Sequence, residues 1–495
     1  MRLNSGRLLN ERIKTHPRKI AVVAKSEQLD FLTLNQRANR LAHVLAGQGV
    51  KCNDKVGILL PNSPEFVVAY LAVQKAGGVT VPLDMKLPPK DVDAILRFAD
   101  ARLLVTLPSA ESIADIKQPM VTVEKEQIKC KGEILHPPDD DWGVDRSAGD
   151  EATYLYTSGS TGQPKLAVLT HENLSCFPRV VQEIYATSSE EVYGLLLPMS
   201  HVSGPIAIQE LIEHGTTLVF LDLMTERRGA LQSIQENKVT LIWGVVPLYR
   251  LLIHEAKIRK FDTSRLRILA VMGMETPVDF MREMSQAFPH TAVVQGYGLT
   301  ETSGVVIGTP PRDAVRKMQS IGRPVHFMDV RIVDAKGNPL PPKRHGEIVV
   351  KGAAVMKGYY RNEAATKERI KDGWLHTGDV GCLDEEGYLY LLGRTDDMII
   401  TGGLNVFPGE VEDVIRRHPK VKDVAVVGLP DPGRGTIVKA VIVPSSEITK
   451  EEILKFCRLN LSPFKCPRMV EFRDDLPKTS TGKISRGALR RMEKS

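Results

Sequence analysis

No stretch of 18 consecutive apolar residues occurs in the chain, so a membrane-spanning helix is not expected. The first twenty residues are polar and lack the apolar core of a secretory leader. The last four, Met-Glu-Lys-Ser, form neither a peroxisomal nor a retention tag, and a cytoplasmic location is the expectation. Cysteine is sparse. The six present (Cys52, Cys130, Cys176, Cys382, Cys457 and Cys466) form no C-x-x-C and no ligand spacing. That argues against a zinc site or a disulfide framework and fits a reducing compartment. Fixed-period repeats and low-complexity tracts are also missing.

A large excess of one charge is missing too. Lys and Arg number 66 against 60 Asp and Glu, and the surplus sits at the ends. Residues 1–20 hold six basic residues against one acidic, and residues 472–495 hold seven against three. The long middle is therefore slightly acidic, which makes nucleic acid an unsuitable main partner. What remains is ordinary for a folded, water-soluble protein: 42% hydrophobic and 25% charged residues, with 495 residues enough for two or three folding units.

The pattern along the chain is mixed α/β. Short apolar runs at 193–197, 217–221, 240–246, 266–272 and 292–294 end at turn residues, with polar stretches of helix length between several of them. This is the texture of a largely parallel, helix-covered sheet. From about residue 320 the strands become shorter and closer (330–333, 347–351, 388–392), separated by Gly and Asp, as in antiparallel or barrel-like structure. After Gly393-Arg394 come a strand at 398–401, an acidic amphipathic helix near 410–418, strands at 424–428 and 439–443, and a helix near 450–459. The expected organisation is α/β. A large N-terminal domain of helix-covered mixed sheets (1–394) includes a β-rich subdomain at about 320–394. A small mobile α+β domain spans 395–495.

Residues 156–165 read YTSGSTGQPK, after a strand-like run at 153–156 and before a helix that Thr170 can cap. Glycines and hydroxyl residues at this density can wrap a polyphosphate with backbone N–H groups and side chains. A surface Ser/Gly loop is the alternative. The mononucleotide P-loop needs Gly-Lys followed by Ser or Thr, but Lys165 follows Pro164 and precedes Leu166, and Gly482-Lys483 is followed by Ile484. Neither is a Walker motif.

YTSGSTGQPK resembles the phosphate-binding signature of the adenylate-forming superfamily, which includes acyl-CoA synthetases, peptide-synthetase adenylation domains and firefly luciferases. Further motifs follow in order: PMSHVSG at 198–204, QGYGLTE at 295–301, WLHTGDV at 374–380, GRTDDMIITGGLNVFPGEVE at 393–412 and PKTSTGKISR at 477–486. The resemblance runs from near residue 30 to the end.

It implies that a carboxylic acid attacks ATP to give an acyl-adenylate and pyrophosphate, and that CoA then takes the acyl group. ATP, Mg2+ and CoA are the implied cofactors. Thr157, Ser158, Gly159, Ser160, Thr161, Gly162 and Lys165 would form the loop over the β- and γ-phosphates. Thr300 would touch the α-phosphate and Glu301 would hold the metal. Tyr297, between Gly296 and Gly298, would stack on adenine, and residues 271–277 would supply a second adenine-contacting loop, although Met274 and Glu275 depart from the family's small residues there. Asp379 and Arg394 would hold the ribose. Lys483 would be the adenylation lysine and Asp396 the hinge. Gly402 and Gly403 would let the pantetheine arm approach the backbone.

The acyl pocket is expected behind His201, lined by Val202, Val245, Val246, Met272, Met274 and Gly298. This lining is mostly apolar and contains no Arg or Lys, which favours a monocarboxylic fatty or aromatic acid over a dicarboxylate. Amino-acid adenylation domains carry a different fourth motif, and a luciferase-like enzyme would be expected to end in a peroxisomal tag. A carrier-protein loader and an idle nucleotide sensor are the competing readings. Partners are expected to be small molecules, with no integral membrane contact, and the protein to be a monomer or homodimer.

Overall fold

The computed structural model describes residues 5–25, 27–110, 116–157, 165–258, 261–273, 276–401, 404–431, 435–478 and 484–492. Packing divides the chain into two compact units, one of Met1–Gly273, Phe280–Asp329 and Val350–Leu375, the other of Met274–Asp279, Val330–Val349 and His376–Ser495. The mixed α/β class matches the expectation. Among the described residues no helix is long and apolar enough to cross a membrane.

Among the described residues the first unit contains two nine-stranded sheets. In one, Ala292–Leu299, Ile268–Met272, Leu241–Gly244, Val192–Leu195, Thr217–Phe220 and Ile20–Ala24 lie side by side and parallel. The pairs Gly304–Gly308 with Arg323–Pro324 at one edge, and Glu27–Asp30 at the other, run antiparallel. Ile268–Met272 and Leu241–Gly244 are buried at every position. Strands covered on both faces read as unbroken apolar runs, which is why they were legible in the sequence. Strand order reverses at Val192–Leu195: the chain passes through helix Ser203–His214 to Thr217–Phe220 on one side, then through Arg227–Glu236 to Leu241–Gly244 on the other.

The second sheet has Val79–Pro82, Lys55–Leu59, Ala101–Thr106 and Met120–Glu124 as its parallel centre. One flank is the hairpin Glu151–Thr157 and Lys165–Thr170 with the two-residue strand Gly358–Tyr359. Helix Pro89–Phe98 buries Val92, Ile95 and Leu96 against this sheet, a stripe at i, i+3, i+4 whose burial contributes roughly 1.5–3 kcal/mol per side chain.

Two local readings are extended. The glycine-rich stretch is followed by the strand Lys165–Thr170, paired antiparallel with Glu151–Thr157, before helix His171–Tyr185 begins. Thr170 does cap that helix, exchanging hydrogen bonds with Asn173 in a capping box. Likewise the strand expected at 292–294 runs on through Gln295-Gly296 to Leu299, because the antiparallel partner Gly304–Gly308 continues the ladder (Tyr297 opposite Ile307) past the end of its parallel neighbour.

In the second unit, Val421–Asp431 pairs antiparallel with Gly435–Pro444, which pairs parallel with Met469–Phe472. Period-two alternation sorts the side chains. Val424 and Val426 face the helices Pro408–Arg416 and Lys450–Asn460 through Val411, Ile415, Ile453 and Cys457, while Ala425 and Val427 meet Leu476 and Leu489 on the other face. The β-rich texture expected for 320–394 appears as Met328–Val333, Gly346–Gly352, Trp374–Leu383 and Leu389–Arg394. Packing groups residues 376–394 with those that follow, whereas the sequence reading put a boundary at 394/395.

Candidate active site

In an open α/β sheet, ligands favour the crevice at the carboxyl ends of the strands where strand order reverses. Here strand order reverses between Val192–Leu195 and Leu241–Gly244, with Leu195 in register with Trp243, so the rule points to the carboxyl ends of these two strands. Residues 198–204 follow the first strand and Val245-Val246 the second, and Met272 ends the next strand beside Gly296. The sequence-predicted pocket residues His201, Val202, Val245, Val246, Met272 and Gly298 therefore all lie on segments at this end of one sheet. Below it, Trp243 packs edge-on to Phe177 (4.9 Å) and tilted against Tyr193 (4.6 Å).

Asn62 pins the loop before His201: its Nδ2 donates to the Leu197 carbonyl (2.8 Å) and its Oδ1 accepts from Met199 N–H (2.8 Å). His201 Nε2 lies 3.7 Å from Asp84 Oδ2, beyond hydrogen-bond length yet close enough for charge to matter. The imidazole and the Lys86 N–H hold the Asp84 carboxyl below its ordinary range against the opposing effect of burial. Neither Asn62 nor Asp84 was singled out from the sequence, since both come from segments more than 100 residues away.

The strand Ala292–Leu299 turns at Thr300–Thr302 into Gly304–Gly308. Thr302 Oγ1 accepts from Leu299 N–H (2.8 Å), and Ser303, in the left-handed region at φ 53°, donates its hydroxyl to the Ala354 carbonyl (3.0 Å). A Cβ at 298 would collide with the Gly304 carbonyl, so the hairpin itself demands glycine there. Tyr297 is buried in this ladder, and Thr300 is half-buried. The turn presents Glu301, which is 9% exposed and accepts a 2.7 Å hydrogen bond at Oε1 from Tyr359 Oη. Its backbone carbonyl accepts from Met356 N–H (2.8 Å).

Tyr359 belongs to the other sheet. Its strand pairs with Lys165–Thr170, Ala167 opposite Tyr359, and Lys165 Nζ lies 5.4 Å from the centroid of the Tyr359 ring. Lys165 is in register with Thr157 across the hairpin, and Thr157 Oγ1 donates to the Lys165 carbonyl at 3.4 Å. Burial first, then the Glu301 charge, push the Tyr359 hydroxyl well above its ordinary range, so it stays a protonated donor. Lys165, Tyr359 and Glu301 thus come together from positions 136 and 58 residues apart. Sequence reasoning passed over Tyr359, whose only local signal is a tyrosine after Gly358 in KGYYR.

In the second unit Asp379 and Arg394 are register partners and form an ion pair (Nη1 to Oδ1, 3.2 Å). The preceding His376 and the Gly378 N–H both bind Glu347, at 2.9 and 3.1 Å, and Thr395 Oγ1 donates to the Gly378 carbonyl at 2.6 Å. Asp396 lies in the short turn Thr395–Asp397 and its carbonyl accepts from Arg490 Nη1 (3.1 Å). Arg486, the last residue of PKTSTGKISR, grips both oxygens of buried Glu412 (2.8 and 2.7 Å), and Arg490 pairs with Asp397 (2.9 Å). Much of the C-terminal positive charge is therefore anchoring. Lys478 and Ile484 form a β-bridge on either side of 479–483.

Several expected site residues lie outside the described residues: Ser158, Gly159, Ser160, Thr161, Gly162, Met274, Gly402, Gly403 and Lys483. Their flanking positions Thr157, Lys165, Thr401 and Leu404 are described, the last two paired across a small hairpin.

The family model for AMP-binding enzymes matches residues 9–360, and that for the C-terminal domain of AMP-binding enzymes matches residues 410–483. A feruloyl-CoA synthase of an Amycolatopsis species is 37% identical over 489 residues, covering 97% of both chains. A long-chain-fatty-acid–CoA ligase of Escherichia coli is 32% identical over 516 residues, covering 95% of this chain and 91% of that one. The solved structure of O-succinylbenzoate coenzyme A synthetase from Bacillus subtilis, in complex with ATP and a magnesium ion, superposes with a TM-score of 0.87 at 29% identity, over 98% of this chain and 99% of that one.

Proposed function

The chain belongs to the AMP-binding enzyme family, and from that premise we propose a division of labour among the residues described above. It is an AMP-forming acid–CoA ligase: the acid's carboxylate displaces pyrophosphate from ATP to give an acyl-adenylate, and CoA then displaces AMP to give the thioester. A carboxylate is already ionised at neutral pH, so the first step needs no general base. The difficulty is bringing two anions together and stabilising charge on the departing pyrophosphate.

Lys165 and Thr157, with Ser158, Ser160 and Thr161, are assigned to the β- and γ-phosphates. Thr300 is assigned to the α-phosphate. Glu301 fits Mg2+, because a carboxylate accepts up to about four bonds and Tyr359 takes one, and because Mg2+ commonly uses one or two carboxylates with phosphates and water as its other ligands. When bound, the cation would neutralise phosphate charge. Lys483 is the donor assigned to the α-phosphate and the acid, and Tyr297 is assigned to adenine. Asp379 and Arg394 are assigned to the ribose hydroxyls, their mutual ion pair holding both side chains in place. Asp396 is assigned as the hinge of a boundary at 394/395, and Gly402-Gly403 to passage of the pantetheine arm. His201, held near Asp84, is assigned to acyl entry.

The substrate reading is a monocarboxylic aromatic or fatty acid. It is supported by the apolar Val202, Val245, Val246 and Met272 around the crevice and by the feruloyl- and fatty-acid-specific names of the relatives. The single observation that carries the whole assignment is the gathering of a carboxylate and an ammonium around one tyrosine at the end of the sheet that also bears this crevice.

The test is to incubate the protein with Mg-ATP and a panel of aromatic and short- to long-chain acids, with and without CoA, quantifying AMP and thioester. AMP and thioester appearing together with one acid class and CoA are expected. Adenylate without thioester would move the reading to a carrier-protein loader, and no AMP with any acid to a nucleotide sensor.

A further inference from the structure

We propose that Tyr359 is the positioning residue of the ligase site, its hydroxyl fixing the Glu301 carboxylate and its ring face seating the Lys165 ammonium. This rests on the assignment of Glu301 to Mg2+ and of Lys165 to phosphate. The hydroxyl is directed at one carboxylate oxygen over 2.7 Å in a buried setting. A hydrogen bond to a charged acceptor is among the stronger ones in proteins, and its strength grows when water is excluded. The ring lies under Lys165 Nζ at cation–π range, 5.4 Å from the centroid.

Both contacts are held by backbone that leaves the ring little freedom. Ala167 is in register with Tyr359, and Lys165, two residues earlier, projects from the same face of the strand. The Tyr359 N–H donates to Thr366 Oγ1 (2.9 Å), where Gly358 at φ 151° lets the threonine approach. Across the contact, the Glu301 carbonyl is tied to Met356 N–H, three residues before Tyr359. The Arg369 charge acts on the same hydroxyl, partly opposing the upward push of burial and Glu301. A tyrosine kept only for packing would need none of these partners, and phenylalanine would replace it without consequence.

The substitutions Tyr359→Phe and Tyr359→Leu separate the two roles. Phe keeps the ring face and loses the hydroxyl, whereas Leu loses both. With Mn2+ as the probe and a non-hydrolysable ATP analogue, free Mn2+ is followed by electron paramagnetic resonance, and nucleotide affinity is measured separately without metal. Tyr359→Phe is expected to weaken Mn2+ binding to the protein–nucleotide complex about tenfold, with metal-free nucleotide affinity within about twofold of wild type. Tyr359→Leu is expected to weaken metal-free nucleotide binding several-fold as well.

Wild-type Mn2+ affinity in Tyr359→Phe, alongside a loss in Glu301→Gln, would overturn the positioning role alone. Wild-type affinity in Glu301→Gln would overturn the metal assignment and this inference with it. If Tyr359→Phe melts early, a fluorinated tyrosine at 359 keeps the shape and sharpens the donor. A changed Mn2+ affinity is then expected, and an unchanged one would overturn the proposal.

Discussion

The two nine-stranded sheets of the first unit share a plan, a parallel centre with antiparallel edges, but use different parts of it. The sheet centred on Leu241–Gly244 and Ile268–Met272 carries the proposed acyl site at the carboxyl ends of its parallel strands, where strand order reverses. The sheet centred on Lys55–Leu59 carries the proposed phosphate site at its antiparallel flank, where the strands of Thr157 and Lys165 lie on either side of the glycine-rich stretch. One offers apolar walls and the Glu301 carboxylate, the other hydroxyls and an ammonium. The Tyr359–Glu301 hydrogen bond spans the two. Parallel strands whose order reverses favour ligands at their carboxyl ends, and the antiparallel edge sets Thr157 opposite Lys165. A ligase that adenylates an organic acid with ATP and releases pyrophosphate would draw on both.

The largest loss is expected outside either sheet. Lys483→Ala should lower adenylation by about 10²–10³, the usual cost of one preorganised donor to developing charge, measured as acid-dependent pyrophosphate release. Next come paired substitutions that set the sheets against each other. Glu301→Gln should reduce turnover by about tenfold or more and raise the Mg2+ concentration needed, while Lys165→Gln should chiefly raise the KM for ATP, by about tenfold. Identical kinetic signatures in the two variants would erase the proposed distinction.

The helix His171–Tyr185, which follows the second sheet's hairpin, should also respond to pH through His171. This residue is 1% exposed, neither ring nitrogen has a hydrogen-bond partner among the described residues, and burial followed by the Arg146 charge pushes its pKa down to about 4. The unfolded chain therefore takes up a proton near pH 6.5 that the folded chain refuses. Stability from this group is complete above about pH 6.5 and falls as pH drops toward about 4, by roughly 3 kcal/mol in all. His171→Gln should flatten the melting profile across that window, and a wild-type slope in the variant would contradict the assignment. The smallest effect is expected at the adjacent cap: Thr170→Ala should cost about 1 kcal/mol in denaturant unfolding and leave the KM for the acid unchanged.

The parallel strands and the order of the motifs were legible because each depends on neighbours in sequence. Ile268–Met272 reads as buried in its own five letters. Tyr359 was not legible: its strand has two residues, too few for a period, and its significance arises only when Lys165 and Glu301 reach it from elsewhere in the chain. Arg486 and Arg490 read as part of a basic tail because their acidic partners Glu412 and Asp397 lie more than 70 residues upstream. The strand at 165–170 was missed for another reason. Its apolar run is followed at once by a capped helix, and the hairpin partner across the glycine-rich stretch is what makes it extended.

The most direct test of a two-step ligase is exchange of labelled pyrophosphate into ATP with CoA omitted. Exchange that requires both Mg2+ and one aromatic or fatty acid, and that disappears in Lys483→Ala, is the expected result. Thioester formation from the same acid with no acid-dependent exchange would contradict an acyl-adenylate intermediate.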